Sequence, residues 1–309
     1  MGVWLEGKPV AERIRERVKA EVAGYRESQG AVPGLVGVLV GENPASQSYL
    51  RMKEKACLSL GLSGRILTLP ADTPPDELKK ALSGLNADDS VDAILVQLPL
   101  PKGFDTQAVI SWIDPGKDVD GIHPTSLGLL LQNQPGSRAC TPLGCLELIK
   151  STGVSIEGKD VVVIGRSLIV GKPLAVMITN ENGTVTICHS KTKNLDQVAA
   201  RADILVAAMG KPGFVGPEFV KPGAVVIDVG SNSVSDKGVV RRLFGEDAKR
   251  LKEVDDRGYT WIGDVQPCVI DKAGWLTPSP GGVGPLTIAM LMSNTLDCFK
   301  RRRGLRDCP

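Results

Sequence analysis

The sequence predicts an α/β protein of two domains, each built on a parallel sheet. Three observations carry that expectation. Strand-like and helix-like segments alternate along almost the whole chain, the pattern of βα units rather than of hairpins. The run Val161, Val162, Val163, Ile164 is apolar without alternation, as suits a strand buried on both faces of a parallel sheet. A chain of 309 residues with 42% hydrophobic content can build a large core, and its length fits about two domains.

The elements fall into two sets. In the first, helices are expected at about Ala11–Gln29, Pro44–Leu60 and Pro75–Asn86, and strands at Gly34–Val40, Arg65–Leu69 and Asp92–Leu98. The second of these helices is the best marked, with Asn43 as N-cap, Pro44 at the first position and Gly61 beyond its end, each the residue type that its position favours. Gln132–Cys140 (QNQPGSRAC) is polar and rich in Gly and Pro, which suits a crossing between domains, and Pro142–Ser151 is helix-like. In the second set, Asp160–Ile164, Thr184–Cys188, Ile204–Ala208 and Ala224–Val229 are strands. A final amphipathic stretch, Gly284–Lys300, is free to pack back on the first domain.

The second set opens on a loop with chemistry in it. After Ile164 comes Gly165, which permits a sharp turn, then Arg166 and Ser167, then Gly171 and Pro173 at a helix start, where backbone amides can meet an anion. The usual dinucleotide fingerprint is G-x-G-x-x-G, and GRSLIVG lacks its middle glycine. An ordinary βα turn would explain one glycine. The combination with Arg-Ser, a second glycine and a helix-starting proline favours a cofactor loop, and hence a doubly wound, Rossmann-like sheet. At the end of the next strand, where an acidic residue would hold a ribose 2′-hydroxyl, the chain has Ser190, Lys191, Thr192 and Lys193. A solvated turn accounts for such residues, and so does a 2′-phosphate, which points to NADP over NAD.

In the first set, Tyr49 and Lys53 stand four apart on one helix face with Ala56, Cys57 and Leu60. A lone lysine in an apolar stripe ordinarily snorkels to water. Beside a tyrosine, in a partly desolvated pocket, a lysine gives up its proton more easily and becomes usable for acid/base work. Gln97 interrupts the apolar strand DAILVQL close to its carboxyl end, the side on which open α/β sheets bind ligands, although a neighbouring loop could equally satisfy a buried amide. KDVDG (117–121) supplies two carboxylates, each by itself a common turn residue. PSPGGVGPLT (278–287) places three glycines and three prolines in ten residues, for a ligand or for a domain crossing.

Composition excludes several classes. A net charge of +2 gives no reason to expect nucleic acid or an anionic membrane, and the one basic run, Lys300–Arg303, reads as a solvated tail. No apolar stretch is long enough to span a bilayer, and the charged N-terminus has no signal-peptide core, so the cytoplasm is expected. Seven cysteines, at 57, 140, 145, 188, 268, 298 and 308 and without C-x-x-C spacing, indicate neither a disulfide framework nor a zinc site, and with two histidines no metal centre is expected.

Six segments, in order, carry a resemblance: ASQSYLRMKEKA (45–56), LNADDSVDAILVQLPLP (85–101), KDVDGIHP (117–124), VVVIGRSLIVGKP (161–173), CHSKTKNL (188–195) and PGGVGPLT (280–287). From about Leu5 to Phe299 the chain resembles the bifunctional methylenetetrahydrofolate dehydrogenase/methenyltetrahydrofolate cyclohydrolase family. The resemblance implies NADP-dependent oxidation of 5,10-methylenetetrahydrofolate and hydrolysis of the product to 10-formyltetrahydrofolate, in a cleft between a catalytic domain (1–138, joined by a C-terminal helix 284–309) and an NADP-binding domain (139–283). It implies a catalytic set of Lys53, Gln97, Tyr49 and Asp120, with Lys53 as general acid/base, Gln97 hydrogen-bonded to it, Tyr49 stacked on the folate rings and Asp120 anchoring the pterin. Val96, Leu98 and Pro280, Gly281, Gly282, Val283 and Gly284 would line the folate side. Gly165, Arg166, Ser167, Val170, Gly171, Ser190, Lys191 and Ser231 would hold NADP, and a homodimer paired through the nucleotide domain is implied.

The chain departs from the family pattern at Leu286, Ser279, Ser126, Gln266 and Ser231, of which Ser231 bears most on cofactor affinity. A different two-domain NADP dehydrogenase would share the loop but has no need of Tyr49, Gln97 and Asp120 together. A nucleotide-sensing module would leave Lys53 idle.

Overall fold

The computed structural model describes residues 2–305. Cys308 and the last residues of the expected 284–309 segment, 306–309, lie outside them. The chain opens with β1 (Val3–Trp4) and α1 (Gly7–Gln29), then alternates β2 (Gly34–Val40), α2 (Pro44–Ser59), β3 (Ser63–Leu69), α3 (Pro75–Ala87) and β4 (Ala93–Val96). Two short helices, α4 (Thr106–Ser111) and α5 (Pro124–Leu131), precede α6 (Cys140–Ser151). There follow β5 (Asp160–Ile164), α7 (Gly171–Asn180), β6 (Thr184–Cys188), α8 (Leu195–Ala199), β7 (Ile204–Ala207), β8 (Val225–Asp228) and β9 (Asn232–Val234). The chain continues through α9 (Lys237–Phe244), α10 (Ala248–Arg257), β10 (Thr260–Ile262), β11 (Trp275–Leu276) and α11 (Val283–Arg302).

These elements form two compact units, one of Glu12–Cys140 and Ile288–Pro309, the other of Met1–Ala11 and Thr141–Thr287. The first holds a three-stranded parallel sheet in the order β3-β2-β4. All seven residues of β2, GLVGVLV, are buried, as the central strand of a covered parallel sheet must be. Its core joins Val36, Val38 and Val40 to Leu78, Leu82 and Leu85 of α3 and to Ile94 and Val96 of β4. The second unit holds a six-stranded parallel sheet, β1-β11-β8-β7-β5-β6, with a small antiparallel pair, β9 and β10, beside it in sequence. The two-domain α/β architecture is therefore as the alternating pattern predicts.

Three expectations are revised. Residues 1–11 belong with the six-stranded unit, because β1 pairs with β11 (Val3 with Trp275, Trp4 with Leu276) and the Gly7 amide donates to the Gly281 carbonyl at 2.9 Å. A two-residue strand has no periodicity to read. Nor is the basic run a solvated tail. Lys300 is 7% exposed and pairs with Glu21, Arg301 donates to Ser137 Oγ at 2.8 Å, and Arg302 donates to the fully buried Asp92 at 2.8 Å and to the Val91 carbonyl at 2.8 Å. The last turn of α11 is thus fixed by ion pairs and by capping of a strand end. Segment 132–140 is likewise more than a linker, since Ser137, Ala139 and Cys140 are buried.

Candidate active site

The first cluster is built on α2. Asn43 Oδ1 accepts from the Ser46 amide at 3.0 Å and starts the helix with Pro44 behind it. Ser46, Leu50 and Cys57 are its buried residues, and Lys53 falls on that same line at helical spacing. Its ammonium donates to Gln97 Oε1 at 3.1 Å, while Gln97 Nε2 donates to the Leu98 carbonyl at 2.7 Å. Gln97 lies one residue past β4, and its amide still bonds the Val38 carbonyl at 2.9 Å, so the sheet fixes the amide that fixes the lysine. Val96 is buried at the end of β4 and Leu98 is half-buried. Tyr49 is 45% exposed at the rim, outside the buried stripe that the wheel assigns it.

The KDVDG segment divides its labour by residue. Lys117, 1% exposed, donates to the carbonyls of Leu85, Asn86 and Asp88 at 2.8, 2.7 and 2.8 Å and so closes the C-terminus of α3, where carbonyls lack helical partners. Asp118, equally buried, accepts from the amides of Gly121 and His123 and from Ser126 Oγ at 3.1, 2.9 and 2.7 Å. Ser126 therefore does its work through a hydroxyl. Gly121 has φ +65°, and a Cβ there would lie 2.3 Å from the Arg138 backbone, so the turn demands glycine. Asp120 alone makes no hydrogen bond to another described residue. Burial pushes its carboxyl up to about 6, the Lys53 ammonium pulls against that, and Asp118 adds to it. Cys140, raised well above the ordinary thiol by burial, feels both Asp120 and Lys53. Asn294 of α11 donates to Val119 O and Arg138 O, both at 2.8 Å, behind the same carboxylate.

The second cluster lies at the carboxyl end of the six-stranded sheet. Gly165 has φ +141°, and a Cβ on it would come 2.2 Å from the Ala208 carbonyl oxygen. A Cβ on Gly171 would come 2.1 Å from Gly165 O, so helix α7 packs directly on the turn. The anion-binding expectation for the helix start needs a correction. Ser167 Oγ accepts from the amides of Val170 and Gly171 at 3.1 and 3.4 Å, the Lys172 amide donates to Ser167 O at 3.1 Å, and Pro173 has none. The first-turn amides are already used, so an anion here would meet the loop ahead of the helix, where the Ser167 hydroxyl proton and the exposed Arg166 stand. After β6, the His189 amide donates to Thr192 Oγ1 at 2.9 Å and the Lys191 amide to His189 Nδ1 at 3.1 Å. This closed turn spends Thr192 and leaves the side chains of Ser190 and Lys191 exposed.

Ser231 and the loop Pro280–Gly284 line one cavity of about 430 Å³, together with Asp228, Thr141 and Thr287. Asp228, 4% exposed, accepts from the amides of Gly230, Asp264 and Val265 at 2.9, 2.8 and 3.1 Å, and burial pushes its carboxyl up to about 7. The sequence reading missed Asp228, Asp264, Lys117 and Asn294. An aspartate at a strand's carboxyl end followed by glycine, as in Asp228-Val229-Gly230, was the signal available for the first.

Among the described residues no helix is long and apolar enough to cross a membrane. Residues 5–120 match the model of the tetrahydrofolate dehydrogenase/cyclohydrolase catalytic domain, and residues 139–303 that of the same family's NAD(P)-binding domain. The bifunctional protein FolD of Koribacter versatilis is 49% identical over 300 residues, 97% of each chain, and that of Solibacter usitatus 48% over 302 residues, 97% of this chain and 98% of its own. Among solved structures, the bifunctional FolD methylenetetrahydrofolate dehydrogenase/cyclohydrolase of Campylobacter jejuni superposes with a TM-score of 0.88 at 38% identity, covering 98% of this chain and 100% of its own. The Trypanosoma brucei enzyme, solved with NADP and an inhibitor, gives 0.88 at 37% identity, covering 98% of both chains. With both domain models matched in order and nearly half of all positions shared along almost the full length, this chain belongs to the tetrahydrofolate dehydrogenase/cyclohydrolase family.

Proposed function

We propose that the protein oxidises 5,10-methylenetetrahydrofolate to 5,10-methenyltetrahydrofolate with NADP⁺ and hydrolyses the methenyl compound to 10-formyltetrahydrofolate. The observation that carries this is the Lys53–Gln97 pair at 3.1 Å beside a carboxylate, Asp120, that makes no hydrogen bond to another described residue. In hydrolysis, water adds to the bridging carbon and the bond from that carbon to N5 breaks. For this step Lys53 serves as the neutral amine: the Nζ lone pair takes the proton from the water, and the ammonium so formed returns it to the departing nitrogen. Gln97 holds Nζ by accepting from it, and is itself held through Leu98 O. Asp120, in its carboxylate form, accepts two hydrogen bonds from the amino and ring N–H groups of the pterin. Tyr49, exposed at the rim, stacks on the rings, and Val96 and Leu98 flank them.

The cofactor residues fit a dinucleotide carrying a 2′-phosphate: a glycine turn in which a Cβ would clash at 2.2 Å, exposed Arg166 and Lys191, and exposed Ser190 with no acidic side chain at the end of β6. Bound NADP⁺ supplies the hydride acceptor, and the chain's task is placement. Arg166, Ser190 and Lys191 hold the phosphates, Gly165, Ser167, Val170 and Gly171 give the close approach, and Ser231 and Pro280–Gly284 line the ring end. The substrate is a small folate; neither nucleic acid nor membrane is a partner. A homodimer through the six-stranded unit is supported by its edge strand β6, where Ile187 is 41% exposed, and the reducing cytoplasm by its free thiols.

Lys53→Met is expected to abolish methenyl hydrolysis, followed by loss of its absorbance; retained hydrolysis sinks the assignment. A kcat/KM equal or better with NAD⁺ than with NADP⁺ overturns the cofactor choice. Sedimentation as a monomer at micromolar concentration removes the dimer.

A further inference from the structure

Asp264 is fully buried and lies in neither candidate cluster, yet it organises one of them. Its Oδ2 accepts from the amides of Met209 and Gly210 at 2.7 and 3.0 Å, and its Oδ1 accepts from the Lys211 amide at 2.7 Å and from Asn232 Nδ2 at 2.9 Å. Three consecutive amides converge on one carboxylate, which is costly to bury unless its lone pairs are filled. The 209–211 segment follows β7 and is continuous with Ala208, whose carbonyl oxygen lies against Gly165. On the other side, a Cβ on Gly230 would come 2.3 Å from the Asp264 amide nitrogen, and Ser231 is the next residue. Asp264 thus ties the loop after β7 to the loop after β8, both at the carboxyl end of this sheet, where open α/β folds take their ligands. Asp228 holds Asp264 in turn, accepting its amide at 2.8 Å.

We infer that Asp264 is a positioning residue for the nicotinamide dinucleotide, acting by fixing the spacing of the 208–211 and 230–232 loops. The inference rests on the proposed use of NADP. It requires a carboxylate at position 264, because an amide of the same shape offers one oxygen and one NH₂ to four donors and must turn the NH₂ toward two of them.

The test is Asp264→Asn in the full-length protein, with NADPH affinity measured by fluorescence titration and both reactions assayed. The expected result is a Kd for NADPH and a KM for NADP⁺ raised at least tenfold, with methenyl hydrolysis, which draws on Lys53 and Gln97, within twofold of the parent. Unchanged Kd and KM overturn the inference. If the variant fails to fold, Asn232→Ala decides, since it takes one of the four donors from Asp264 and, besides that, only a bond to the Ile262 carbonyl at 3.0 Å: a threefold or greater loss of NADPH affinity upholds the inference and an unchanged affinity overturns it. A parent protein that does not bind NADPH refutes the cofactor assignment itself, a separate outcome from an unaffected variant.

Discussion

Replacing Asp120 by Asn should stabilise the protein at neutral pH while removing its folate chemistry. Burial holds the Asp120 carboxyl at about 6 even with the Lys53 ammonium nearby, against an ordinary aspartate value of about 3.9 in the unfolded chain. Between those values the folded chain binds the proton and the unfolded chain does not, so stability falls as pH rises through the window. The attraction to Lys53 is already contained in the value of about 6. At 1.36 kcal/mol per pH unit, the shift costs roughly 3 kcal/mol by pH 7.5, where folded Asp120 is ionised, and about 1.5 kcal/mol at pH 5, where folding must take up a proton that the unfolded chain does not hold. Asn keeps the shape without the charge, so urea denaturation of both proteins should show the variant ahead by these amounts at the two pH values, the lead shrinking as pH falls. Other groups titrate in this range, Asp228 among them, but they are common to both proteins and cancel in the difference. Dehydrogenase and cyclohydrolase rates of the variant should fall together. A lead that is independent of pH, or a variant less stable than the parent at pH 7.5, would refute the reasoning.

Three further outcomes are expected. Arg302→Met leaves the fully buried Asp92 with the Gly34 amide at 2.9 Å and a long contact to Arg303 at 3.4 Å, and removing one partner of a buried pair costs about 3 kcal/mol; a urea midpoint implying less than 1 kcal/mol would show Arg303 to suffice. Gly165→Ala, which forces a Cβ to within 2.2 Å of Ala208 O at φ +141°, should cost about 2–4 kcal/mol and weaken NADPH binding, and unaltered Tm and Kd would contradict the packing. Lys191→Ala should lower kcat/KM for NADP⁺ about tenfold, as befits loss of a charge-assisted phosphate contact, and leave that for NAD⁺ unchanged; a parallel loss with both would remove Lys191 from phosphate recognition.

Local signals carried the sequence reading as far as local physics reaches. The helix wheel of α2 puts Lys53 on the buried line because a 3.6-residue period is a property of the segment itself. That wheel could not reveal Tyr49's exposure, which depends on what covers the helix. The apolar run of β5 and the glycine behind it were legible for the same reason, whereas the two hydrogen bonds that Ser167 Oγ accepts depend on a backbone path that no pattern encodes. Lys117, Asp118 and Asp120 share one short turn and do three different jobs, set apart by contacts 3 to 32 residues away for the first two and by burial without a hydrogen-bond partner among the described residues for the third. The C-terminal arginines read as surface charge until Asp92, more than 200 residues earlier in the chain, turns out to be their counterpart.

Because the amides at the start of α7 are satisfied by Ser167, the choice of nucleotide proposed above would rest on the exposed side chains around the turn and not on the first turn of that helix. Arg166, Ser190 and Lys191 bear no load in the fold, so substitutions there can accumulate without a stability penalty. If those side chains read the dinucleotide as proposed, its preference is a trait that few mutations can move, while the turn beneath it, wedged by Gly165 and Gly171, has almost no freedom to change. Selection for a new cofactor in this chain would therefore act on the rim and leave the strand, turn and helix as they stand.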